Sequence, residues 1–315
     1  MKQSKKLQTS LLYTGTSLLV VYFLICMITN PSKYISKSLD GISAWAFNVL
    51  PSVLPFMFFT KVLSSLDVIS KYTQPLAPLS TKLFKTSPVS IYVFIMAILS
   101  GYPVGSKMVA DLYLQGKISR QDAFKMTSFC STSGPMFIVG AVGVGMFHNV
   151  HIGYILFLSH LIGAVLNGIA WRNLKIKSDD TFEPASNTQN SPSDISDIVL
   201  NSTLSILSVG CIITIFFIII ETFSPIFSLL PQNISFLFEG FIEITKGCID
   251  LSTLPNTTFA VVSTSFVISF GGVSTLLQSL TMISKLKMPA HTFALQKLSH
   301  AIFACLTTIL LLFVF

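Results

Sequence analysis

Long apolar runs alternate with short polar or basic stretches through most of the chain, and two of the runs are interrupted in the middle. Residues 94–119 read FIMAILSGYPVGSKMVADLYLQGKIS, and residues 266–288 read FVISFGGVSTLLQSLTMISKLKM. Sliding one onto the other lays Gly101 on Gly271 and Lys117 on Lys287. In each, an apolar arm runs into a polar, glycine-bearing interruption and then resumes. Paired interruptions of this kind in two halves of a membrane chain point to a solute site. Unwound backbone is tolerated at membrane depth only where protein buries it or a polar cavity adjoins it.

The same pattern predicts the crossings, and the lysines orient them. Lys2, Lys5 and Lys6 put the N-terminus in the cytoplasm. The run at about 11–29 reads as a retained first helix rather than a cleaved signal, because no small-residue cleavage site follows it. A short outside stretch, NPSKYISKSLD, leads into a helix at about 41–64 that carries Pro51 and Pro55. Lys71, Lys82 and Lys85 then mark the cytoplasm. The first interrupted segment, 89–115, is expected to be a re-entrant hairpin, since Lys117, Arg120 and Lys125 follow it. A crossing at about 121–147 is interrupted at Ser131–Pro135, and residues 151–171 return to the basic WRNLKIK.

In the second half a helix at 197–222 leads to an amphipathic stretch, 235–252, expected outside or at the interface. A second hairpin at 257–284 and a last helix at 291–315 complete the chain. The fold class expected is therefore an all-α polytopic membrane protein with inverted structural repeats and two re-entrant helical hairpins entering from opposite sides. The domains are 1–34, an N-terminal transmembrane helix; 35–172, a first repeat; 173–196, a polar cytoplasmic linker; and 197–315, a second repeat. Lys285 and Lys287 land outside in this scheme, its main departure from the positive-inside rule.

Composition agrees with a bilayer setting. Apolar residues make up 51% of the 315, charged residues only 10%, and mean hydropathy is +0.73. A soluble domain carries roughly a quarter charged residues. The net charge of +7 sits at segment ends, as topology signals do, and implies no nucleic-acid partner. The five cysteines are widely spaced with no CxxC, and His148 and His151 lack acidic company, so no metal site and no cofactor is expected. GxSxG, HExxH and Walker patterns are absent, and the chain is read as no enzyme.

The candidate solute site is built from the interruptions. Gly101 and Gly105 allow close backbone approach, Pro103 blocks a continuous helix, and Tyr102 and Ser106 lie between them. Lys107 would add a full charge to the positive end of the arm that follows, which suits a carboxylate. Asp111 could pair with Lys107 at i, i+4. Ser131, Thr132, Ser133 and Gly134 offer hydroxyls and free carbonyls, or simply helix-packing groups. Gly271, Gly272, Ser274, Thr275 and Gln278 supply the second tip. Asp111, Glu239, Glu243 and His300 are candidates for a coupling ion, left open between proton and sodium. Gln296, Lys297 and His300 interrupt the last apolar run; Glu239 and Glu243 equally suit a solvated interfacial face.

NVLPSVLPF (48–56), LSGYPVGSKMVADLY (99–113), FCSTSGPMFIVGAVG (129–143) and FEGFIEITKG (238–247) together resemble the YlbJ/SpoVV sporulation integral membrane proteins. That family carries the nucleoside-recognition "Gate" domain, related to concentrative nucleoside transporters, and the resemblance runs from about 35 to 305. It implies a multi-pass protein of the outer forespore membrane that moves dipicolinic acid, a small planar dianion, during spore formation. The motif positions Gly101, Tyr102, Pro103, Gly105, Ser106, Lys107 and Ser131–Pro135 are the ones it transfers. A nucleoside or nucleobase carrier and a non-transporting assembly factor of the spore envelope remain alternatives. The partners implied are a small-molecule substrate and the lipid bilayer, with homo-oligomerisation left open.

Overall fold

The computed structural model describes residues 2–65, 71–72, 74–176 and 195–314. Most of the expected linker, 177–194, lies outside the described residues. Every regular element among them is helical. Five helical passages are long and apolar enough to cross a bilayer: Pro31–Leu63, Val150–Trp171, Ile195–Phe227, Thr257–Met282 and Ala290–Val314. The protein is an all-helical, multi-pass integral membrane protein.

The chain begins with α1 (Lys2–Thr29). The stretch expected to be a short outside connection is helical instead. Pro31 occupies the first turn of α2 (Pro31–Ser43), where a missing N–H costs nothing. Lys37 pairs with Asp40 on the same helix at 2.9 Å and Lys33 with Glu221 of the helix Ile195–Phe227 at 2.7 Å, so the polar residues of this stretch find partners while helical. A wide turn at Ala44–Val49 carries α2 into α3 (Leu50–Ser65). After short turns at 74–84 come α4 (Ser90–Ser100) and α5 (Val104–Leu114). Then follow α6 (Arg120–Cys130), the wide helix α7 (Met136–Met146) and the crossing α8 (Val150–Trp171).

The second half opens with α9 (Ile195–Phe227), followed by α10 (Gln232–Ile242) and α11 (Ile244–Ser252). Next are α12 (Thr257–Phe270), α13 (Gly272–Met282) and α14 (Ala290–Val314). Helices α8 and α14 pack along each other. Gly163 makes this possible, since a Cβ there would lie 2.9 Å from the backbone nitrogen of Ala304. Small residues at such contacts let membrane helices approach closely.

Two expectations are corrected here. Residues 235–252 are not an outside or interfacial stretch: α10 and α11 fold back on each other and enter the core. Residues 257–284, expected as the second hairpin, do not fold back; α12 packs on α14 and α11, while α13 turns away to pack on α10 and α5. The first interrupted segment does fold back, with α4 and α5 in contact. Gly101 therefore stands at a hairpin turn, and Gly271 at a kink in a through-running passage.

Candidate functional site

Each fold-back is held by the small residues that flank its turn. Helix α4 ends at Gly101, whose φ of +72° lies in the left-handed region that glycine enters freely. The Tyr102–Pro103 peptide is cis, and Pro103 precedes the first residue of α5. The returning arm touches the outgoing one at Gly105, where a Cβ would stand 2.6 Å from the Ala97 Cβ and 1.8 Å from the Cys130 carbonyl oxygen. In the second hairpin the equivalent contact joins Gly240 and Gly247; a Cβ on Gly247 would lie 2.1 Å from the Gly240 Cα. Glu243 forms that turn in extended backbone, and its carboxylate caps α11 by accepting the Lys246 N–H at 2.7 Å.

Each turn rests on an interrupted passage. Residues 131–134 are non-helical, and a Cβ on Gly101 would lie 2.9 Å from the Gly134 nitrogen. Gly271 and Gly272 interrupt α12–α13, with a Cβ on Gly272 falling 3.2 Å from both the Ile242 oxygen and the Ile244 nitrogen. The two pairs meet across the molecule, where the Tyr102 hydroxyl stands 3.4 Å from the Ile268 carbonyl oxygen.

A cavity of about 240 Å³ lies between them. The first hairpin contributes Gly101, Tyr102, Pro103 and Lys107, and the first interruption Ser133 and Gly134. Glu243 and Thr245 come from the second hairpin, and Ser274, Thr275 and Gln278 from α13. Val53, Met57, Phe137 and Ile213 form an apolar wall. Lys61 reaches the rim, its Nζ 3.4 Å from the cavity-lining Ser205. Mostly apolar walls with a few converging polar groups are the usual make-up of a small-molecule site.

Behind this cavity lies a buried polar network that sequence reading did not assemble. The Ser133 N–H donates to His160 Nε2 at 3.0 Å, which leaves the ring proton on Nδ1, facing Ser269 Oγ at 2.8 Å. His300 Nε2 donates to the His160 carbonyl at 3.0 Å, so its Nδ1 is free to accept. The Lys297 ammonium, 2% exposed, donates to the Tyr102 hydroxyl at 2.6 Å and the Ser131 carbonyl at 2.7 Å, with His300 Nδ1 at 3.4 Å. It also lies 4.7 Å from the centre of the Tyr102 ring, within cation–π range. A second set of bonds ties the same helices. Asn167 Nδ2 donates to the Ser128 and Gln296 carbonyls, and Gln296 Nε2 to the Phe124 carbonyl.

The residues singled out from sequence separate into three places. Gly101, Tyr102, Pro103, Lys107, Ser133, Gly134, Ser274, Thr275, Gln278 and Glu243 all line the cavity. Gly105, Gly271 and Gly272 stand behind it as packing and turn residues, and Ser106, Ser131 and Thr132 are buried with hydroxyls that meet no partner among the described residues. Glu239, His300 and Asp111 are away from it. Glu239 pairs with Lys246 at 2.8 Å, and His300 belongs to the Lys297 network. Asp111 is exposed, and the pairing expected between it and Lys107 is not formed. His160 and Asn167 were missed, although both are polar residues on one buried face of an otherwise apolar crossing.

Comparisons with known proteins agree with the motifs. Residues 46–149 match the family model "Gate: Nucleoside recognition", a region that holds the first hairpin and the first interrupted passage. The chain is 26% identical to the sporulation integral membrane protein YlbJ of Bacillus subtilis (strain 168), over 94% of this chain and 83% of that protein. No solved structure matches. The chain is thus similar over nearly its whole length to a YlbJ-type sporulation integral membrane protein, with a Gate-type nucleoside-recognition region at 46–149.

Proposed function

We propose that the protein is a secondary carrier for a small anionic aromatic solute, dipicolinate, acting by alternating access in the outer forespore membrane. One observation carries this reading: two hairpin tips, the first helix interruption and the α13 arm beyond the second border one small cavity, which α3 and α9 wall on another side. The order hairpin, interrupted passage, crossing occurs twice, as α4–α5, α6–α7, α8 and as α10–α11, α12–α13, α14. We infer that these are the repeats, inverted because an odd number of crossings separates them. Rocking of one set against the other would open the cavity to either side. The first turn of α5 lines the cavity with its positive end, Lys107 adds charge there, and Lys61 stands at the rim. The apolar wall suits a planar ring.

A second reading, a nucleoside or nucleobase carrier, has its own support. The matched family is described as nucleoside recognition, and Glu243 with Gln278 and Thr275 could accept and donate hydrogen bonds to a neutral polar solute. Uptake of labelled dipicolinate into proteoliposomes separates the two. Saturable uptake that is unaffected by excess uridine and falls at least tenfold in Lys107→Ala, with insertion intact, is expected. Uptake of labelled uridine that dipicolinate does not compete with would replace the first reading by the second.

A further inference from the structure

We propose that Lys297 is the coupling site: a built-in cation that carries the transported proton in place of a bound metal ion. The inference rests on the carrier reading above and names the driving ion for it.

An ammonium buried within a crossing helix is costly and is by default functional. Such a charge is ordinarily paired with a carboxylate. Lys297 makes no ion pair among the described residues. Its three N–H bonds are matched instead to three neutral acceptors: the Tyr102 hydroxyl, the Ser131 carbonyl and His300 Nδ1. The Ser131 carbonyl is freed by the helix interruption at 131–134, and Tyr102 is the hairpin turn itself. Carbonyls at unwound helix positions are where transporters hold a coupling cation. Here a side-chain ammonium occupies that position.

The surroundings contain little else that titrates. On α14 itself the neighbour is His300, and α8 brings His160. Helix α6 brings Cys130 and Lys125, whose Nζ donates to the Lys85 carbonyl at 2.9 Å. Its acid, Asp122, sits nine residues before Ser131, about 13 Å along the helix. Helices α12 and α13 carry no titratable residue. The hairpin tip brings Tyr102. The Ser133 N–H commits His160 Nε2 as an acceptor and His300 Nδ1 faces the Lys297 Nζ, so Lys297 is the basic side chain bonded directly to the turn.

Loss of the proton changes the count. One N–H bond breaks, its proton passes to a water molecule admitted to the cavity, and the electron pair stays on nitrogen as a neutral amine. Two N–H groups then face three acceptors. The Tyr102 hydroxyl can reverse and donate to the amine, which costs its contact with the Ile268 carbonyl on α12. Deprotonation thus releases the first hairpin tip from α12 while its bond to α14 remains, and reprotonation restores the α12 contact. One proton would move per cycle.

Two measurements test this. In proteoliposomes, an inward proton gradient without sodium drives dipicolinate accumulation by the intact protein. Lys297→Arg keeps the charge but cannot release it; it retains solute exchange and loses gradient-driven accumulation. Accumulation retained in Lys297→Arg, or driven only by sodium, would overturn the proposal. The second measurement needs no solute. With ¹⁵Nζ-labelled lysine, magic-angle-spinning NMR finds one signal, absent in Lys297→Met, that shifts from ammonium to amine between about pH 5 and about pH 9. A signal fixed as ammonium across that range sinks the proton-carrying role even if dipicolinate proves to be the wrong solute.

Discussion

The two hairpins border the same cavity but are anchored in opposite ways. The second carries its own fastening. Lys246 on α11 bridges Glu239 on α10 and Asp250 one turn further on, and Glu243 caps the helix that follows it. The first has no such internal pair: Lys107 and Asp111 stand apart, and its turn is held from outside, by Lys297 on α14 bonding Tyr102. A turn fastened within its own hairpin moves as a unit, whereas a turn fastened by a distant helix can be released by a change on that helix. The second hairpin therefore reads as a fixed wall of the cavity and the first as its movable one.

If that contrast holds, Lys246→Met should damage the fold far more than transport chemistry. It would leave the Glu239 and Asp250 carboxylates, both largely buried, without their cation. Breaking a buried pair from one side costs about 3–5 kcal/mol. The expected outcome is a sharp loss of monodisperse protein in detergent and a lowered melting temperature. A Lys246→Met variant that melts like the parent would show that the second hairpin is not held by this cluster.

The contact between arms is common to both hairpins, so glycine substitution tests what they share. Gly105→Ala places a methyl 2.6 Å from the Ala97 Cβ on the facing arm and against the Cys130 carbonyl of α6, and Gly247→Ala places one against the Gly240 Cα on its facing arm. None of these neighbours is a flexible side chain, and overpacking of this kind costs roughly 1–3 kcal/mol. Both variants should lose thermal stability by comparable amounts in a fluorescence-detected melt. If only Gly247→Ala does, the first hairpin has slack that the second lacks, and the fixed-versus-movable contrast is strengthened.

The sequence made some of this legible and hid the rest for identifiable reasons. Gly and Pro interrupt apolar runs visibly, so Gly101–Pro103, Ser131–Pro135 and Gly271–Gly272 were all found as breaks. Similarity between 94–119 and 266–288 nevertheless aligned a hairpin turn with a kinked passage, because both need glycine for backbone reasons that differ. The real second hairpin was misread from its charges. Glu239, Glu243, Lys246 and Asp250 look like a solvated face one residue at a time, and only folding shows that they satisfy each other. Lys297 was visible as a charge in an apolar run. Its partners Tyr102 and Ser131 lie 195 and 166 residues away, a pairing no local pattern reveals.

Asp111 supplies the smallest effect and a control on the whole contrast. It shares a helix with Lys107 and is a candidate for ion coupling, yet it is exposed, lines no part of the cavity and makes no ion pair among the described residues. Exposed substitutions away from such features fall within about ±0.5 kcal/mol. Asp111→Asn should therefore leave both the melting temperature and the proton-driven uptake of the parent unchanged. Loss of gradient-driven uptake in Asp111→Asn would mean that the first hairpin carries its own coupling group. The turn would then need no external lysine to release it, and the two hairpins would differ in sequence but not in kind.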